Sequence, residues 1–126
     1  MNIQQLDKHK LAKTGNDYLQ LLSSDADWFA RTEDDVQSLS AAKTGPFGKL
    51  SQAAFDSFVG GLQFKGGGLG HASYKPLVAE LSLSEIFEVF GHFGLSPIHV
   101  FDISDKKCAS PGTCSSSLFD VCTSSC

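Results

Sequence analysis

The sequence predicts a mainly α fold, a small single-domain helical bundle with short strands as a minor α+β component, followed by a flexible or cross-linked tail rich in Cys and Ser. Three observations predict it. Capped amphipathic segments recur along the body, Gly and Pro punctuate them, and seven phenylalanines between Phe47 and Phe93 supply aromatic material for one core. The last nineteen residues differ from everything before them. They hold all four cysteines and eight Ser or Thr residues, and Asp120 is their only charge.

At 126 residues the chain suits one modest domain, and 107 residues remain when the tail is set aside. The expected division is therefore a folded helical body over 1–107 and a Cys/Ser/Thr-rich segment over 108–126. Net charge is −4 with acids and bases interspersed, which argues against nucleic acid or anionic lipid as a partner. The N-terminal stretch is polar, without the apolar run of a signal peptide, and no stretch approaches a membrane span. Synthesis in the cytoplasm is the expectation, with export of a C-terminal product as a later step.

Ile3, Leu6 and Leu11 give residues 2–13 a weak amphipathic pattern, read as a marginal first helix that Gly15 and Asn16 interrupt. Tyr18, Leu19, Leu21 and Leu22 form an apolar cluster. Ser24 with Asp27 resembles a capping pair ahead of a short helix that would bury Trp28. Thr32 before Glu33, Asp34 and Asp35 is a stronger start, since the hydroxyl satisfies free amides and the acids face the positive end of the helix dipole. Gly45 and Pro46 are expected to stop that helix.

Phe55, Phe58, Val59 and Leu62 lie on one helical face, with Ser51 as cap and Gly60-Gly61 as terminator before an extended piece around Phe64. Residues 66–70, GGGLG, match neither phosphate-binding glycine spacing, so a structural turn is expected. Residues 77–81 read as a strand or tight linker. Ser82 with Glu85 forms a capping box ahead of the apolar helix Ile86, Phe87, Val89, Phe90 and Phe93, which Gly94 would close. Pro97 is read as a block to continuation, and Ile98 to Ile103 as a last extended segment.

Chemistry concentrates in the tail. Cys108, Cys114, Cys122 and Cys126 are separated by five, seven and three residues, unlike the close pairs of structural zinc sites, so no metal and no cofactor is expected. Disulfides are a natural use, with three pairings that spacing cannot separate. Dehydration of Ser or Thr followed by thiolate addition is another, because hydroxyls and thiols are mixed at short range. The residues expected to be modified or cross-linked are the four cysteines with Thr113, Ser115, Ser116, Ser117, Thr123, Ser124 and Ser125. No catalytic residue is expected. His92 lies on the Phe87–Phe93 helix, His99 alternates with Ile98 and Val100, and no local sequence orients His9, His71 or either of these toward a cysteine. Phe55, Phe58, Phe87 and Phe90 would mark a partner-docking groove if their face were open.

This layout resembles a precursor of the ribosomally synthesised, post-translationally modified peptides, in the broad lanthipeptide-like sense, with a long folded leader over 1–107. The resemblance implies a non-enzymatic chain whose leader is bound by a modifying enzyme, and whose thioether- or disulfide-linked end becomes an antimicrobial product released by a protease and exporter. A small secreted toxin or inhibitor with two disulfides is the alternative reading, and a thiol-based metal-binding protein is a third.

Overall fold

A computed structural model describes residues 9–126. Within them the chain folds as α+β, with six α-helices and a four-stranded antiparallel sheet. The expectation of a mainly helical bundle followed by a separate flexible or cross-linked tail is thereby overturned: the Cys-rich end is cross-linked, but it is a structured part of the fold and supplies strand residues of β3 and β4. The helices are α1 (Gly15–Ser23), α2 (Glu33–Ala41), α3 (Gln52–Gly60), α4 (Lys75–Val78), α5 (Leu83–Gly91) and α6 (Pro97–Ile103); the strands are β1 (Gln63–Lys65), β2 (Gly68–Ser73), β3 (Ser104–Ser110) and β4 (Thr113–Cys122). Strand order is β1-β2-β4-β3, so β4 is interior. A boundary at 107/108 would cut through β3.

Local capping explains most helix starts. The Thr32 hydroxyl accepts from the Asp35 amide while the Asp35 carboxylate accepts from the Thr32 amide, and Ser82 with Glu85 does the same for α5. Ser51 caps α3. Two starts depart from expectation. Thr14 caps α1 by accepting from the Asp17 amide, so Gly15 and Asn16 open a helix instead of interrupting one. Ser96 accepts from the His99 amide with Pro97 in the first turn, so the predicted extended segment 98–103 is helix α6. Proline lacks the amide that a first turn leaves unpaired, so it begins this helix and does not merely end the previous one.

Other expectations also change. The marginal helix over 2–13 lies largely outside the described residues, and residues 9–12 are turn and bridge. Residues 24–31, around Trp28, are not helical, and the stretch 77–81, expected as a strand or tight linker, opens within the helical turn Lys75–Val78 and contains no strand. α2 ends at Ala41, before Gly45 and Pro46, which open a short 3-10 helix. The glycines of 66–70 do form a turn: Gly66 and Gly67 take φ of 67° and 91° between β1 and β2.

The core lies between the helices and the inner face of the sheet. Phe58, Phe90 and Phe93 touch one another with ring centroids 6.1–6.3 Å apart, and Leu69, Ala72 and Val121 meet the same cluster from the strands. Phe55, Phe58 and Phe90, expected on a docking groove, are buried here, and Phe87 is half-buried. Their helical periodicity reports a core face.

Arg31 anchors the irregular stretch after α1. Its Nε and both Nη atoms donate to the carbonyls of Leu21, Leu22, Ser24, Ala26 and Gly67 at 2.9–3.2 Å, and its guanidinium lies over Phe29. All of its donors are thus engaged, which closes the C-terminal end of α1 against the β1–β2 turn.

Candidate functional site: the cross-linked C-terminal ribbon

β3 and β4 form a hairpin about Pro111 and Gly112, with Cys108 opposite Cys114, Lys107 opposite Ser115 and Lys106 opposite Ser116. The register then breaks. Ser104 pairs with Val121, so two steps along β3 match five along β4. Asp105 and Phe119 adopt φ of 59° and 69° at this bulge. Such angles are uncommon for non-glycine residues, and side-chain contacts hold both. The Asp105 carboxylate accepts from the Tyr74 hydroxyl at 2.5 Å and the Phe119 amide at 3.0 Å, while the Tyr74 amide donates to the Phe119 carbonyl at 2.9 Å. Burial, reinforced by the bonded Asp105 carboxylate, pushes the Tyr74 hydroxyl up to about 12; the same hydrogen bond lowers Asp105.

The bulge makes the ribbon curl. Positions eight apart in a straight strand would be separated by about 26 Å. Cys114 and Cys122 are 6.1 Å apart between Cα atoms, and are joined by a disulfide. A second bridge ties Cys108 to Cys126 with Cα atoms 5.8 Å apart. Although Cys108 and Cys114 face each other in register, neither bonds the other; each reaches a cysteine near the chain's end. The sulfurs of Cys108, Cys122 and Cys126 all lie within 4.8 Å of one another.

The last residues seal the fold. Thr123 is fully buried; its hydroxyl donates to the Leu69 carbonyl at 2.8 Å, which the Tyr18 hydroxyl also reaches at 2.7 Å. Its amide donates to Gly70 at 3.0 Å. Ser125 donates to the Lys65 carbonyl, and the Cys126 oxygen accepts from the Lys65 ammonium and the Gly112 amide. Of the residues expected to be modified, Thr113, Ser115 and Ser116 are exposed, Ser117, Ser124 and Ser125 are half-buried, and Thr123 is inaccessible.

Strand alternation places Ala72 and Val121 toward the core and their neighbours His71 and Cys122, cross-strand partners, on the other face. There His71 Nε2 lies 3.2 Å from an Asp120 oxygen, and the Ser117 hydroxyl donates to the other oxygen at 2.5 Å. Serine, aspartate and histidine are all present but wired in the wrong order for acyl transfer. The carboxylate sits between the other two, whereas an activated serine must touch the imidazole. Asp120, His71, Asp105 and Lys65 were not legible as site residues, since their roles come from register between strands distant in sequence.

The surface depression lined by Ser24, Asp25, Asp27 and Arg31 offers no anion site, because the arginine's donors are spent on carbonyls. Among the described residues no helix is long and apolar enough to cross a membrane. No family model, curated protein or solved structure matches the chain.

Proposed function

We propose that the protein is a non-enzymatic, disulfide-stapled binding protein of the released inhibitor or toxin kind, in which the body holds the β3–β4 ribbon rigid as its contact element. The observation that supports it best is the double role of β4. Its last residues, Asp120 to Cys122, pair with β2 in the interior of the sheet and Cys122 carries one bridge, while the stretch before them projects Thr113, Ser115, Ser116 and Leu118, the last 70% exposed. A pre-formed ribbon gives up little conformational entropy on binding. Phe101, 73% exposed on the helix leading into β3, adds the aromatic surface that contact sites favour. Such bridges persist where surroundings are oxidising, and on this reading the working form acts in such a compartment.

A second reading, the precursor with leader and modified end, draws support from the exposure of Thr113, Ser115 and Ser116 beside Cys114. Its partners would be a modifying enzyme and a processing protease or exporter.

Intact mass of the natural product separates the two. The binding reading predicts a loss of four hydrogens relative to the reduced chain; loss of whole waters from Ser and Thr would establish the precursor reading instead. For the contact role, the oxidised chain is assayed against a protease panel and bacterial indicator cells. An effect abolished by Leu118→Asp and Phe101→Asp, with the circular dichroism unchanged, is the expected result. An effect indifferent to both substitutions would refute the ribbon as contact element.

A further inference from the structure

The two bridges do not form separate staples; they meet in one sulfur cluster. Cys108, Cys122 and Cys126 place their Sγ atoms within 4.8 Å of one another, and Cys114 adjoins them through its bond to Cys122. A zinc ion held by thiolates at about 2.3 Å in a tetrahedron requires sulfurs about 3.8 Å apart. Breaking the bridges lets bonded sulfurs relax to non-bonded separation, which is close to that edge, while the third stays within reach. The surroundings favour this exchange. Cys122 is wholly buried, Cys126 nearly so, and the backbone of both is pinned by the sheet and by Gly112 and Lys65. Sequence spacing argued against a zinc site because it presents no C-x2-C pair; the curl at Asp105 and Phe119 assembles the donors without one.

We propose that the reduced protein binds one thiophilic divalent cation, of the zinc class, through Cys108, Cys122, Cys126 and Cys114, so that metal replaces the two disulfides as the staple of the ribbon. A dithiol reductant supplies two electrons and two protons to each bridge and is itself oxidised to a disulfide, which yields four protein thiols. The cation then displaces four thiol protons to the buffer as four metal–sulfur bonds form. The inference does not rest on the binding role proposed above. It makes the same curl available in reducing and in oxidising surroundings.

The full chain, reduced by a phosphine and kept anaerobic, is titrated with Co2+ and then Zn2+. One equivalent of cobalt should give the visible bands of a tetrahedral thiolate complex, zinc should displace it, and bound zinc should protect all four thiols from alkylation. The oxidised chain should bind none. Cys108→Ser and Cys126→Ser should each weaken binding by more than the roughly 10–100-fold that loss of an outer-sphere partner costs. Ser115→Ala should leave it unchanged. Two outcomes would overturn the assignment: absence of thiolate bands in the reduced chain, or cobalt binding that Cys114→Ser leaves intact while His71→Ala weakens it. Because the readout is spectral and stoichiometric, a variant that loosens the sheet but keeps its donors still reports on the ligand set.

Discussion

The helical body and the C-terminal ribbon are held by different forces. In the body, Phe58, Phe90 and Phe93 are fully buried and pack edge-to-face or tilted against one another, and most of the short helices start at a side-chain cap. In the ribbon, much of β3 and the first half of β4 are exposed, Leu118 points to solvent, and order comes from a bulge, two bridges and a few buried hydrogen bonds. A stretch with so few apolar groups cannot offset its own chain entropy by burial. It is ordered because its far end, Val121 to Cys126, is embedded in the other region.

The contrast can be broken from either side. The largest effect is expected in the body: Phe58→Ala should cost about 3–5 kcal/mol, read by urea unfolding, and should unfold body and ribbon together. Removing the Cys114–Cys122 bridge as the double serine variant should cost on the order of 2–3 kcal/mol, because it frees an eight-residue closure. Its signature is local: protease cleavage within 111–119 should appear while the body stays protected.

Acid should act on the body as well. Burial lowers His92 to about 4, against an unfolded value of about 6.5. Between those values the unfolded chain binds the proton and the folded one does not, so this contribution is complete above pH 6.5 and is lost as pH falls toward 4. The loss is on the order of 2–3 kcal/mol. Burial lowers His99 in the same direction. Equilibrium unfolding at pH 7 and pH 4.5 reads the slope, and His92→Phe should flatten it.

Smaller effects sharpen the boundary. Thr123→Val removes the hydroxyl that meets Leu69 and should cost about 1–2 kcal/mol, with faster exchange of neighbouring β2 amides. Thr32→Ala, a change confined to one cap, should cost about 1 kcal/mol with no effect on the ribbon.

What could be read in advance follows the same split. Thr32, Ser51 and Ser82 announce their helices because a cap acts on amides only a few residues away. Ser96-Pro97 is an equally local signal, but the same proline suits the end of one helix and the start of the next, and the apolar run behind it favoured an extended reading. β4 was hidden for a different reason. Ser115, Ser116 and Ser117 show no apolar alternation, and the strand's pairing depends on β2, some fifty residues earlier. That the tail would be cross-linked was legible in its composition. The partners Cys108–Cys126 and Cys114–Cys122 were not, because they depend on a bend imposed by Asp105 and Tyr74.

Hydrogen exchange on the oxidised full chain tests most directly whether the ribbon's base is part of the globule. The amides of Thr123 and Tyr74, which donate to Gly70 and Phe119, should exchange as slowly as those in the middle of α5, at the rate set by global unfolding. Random-coil exchange at Thr123 with α5 still protected would show that the end of the chain hangs free of the sheet.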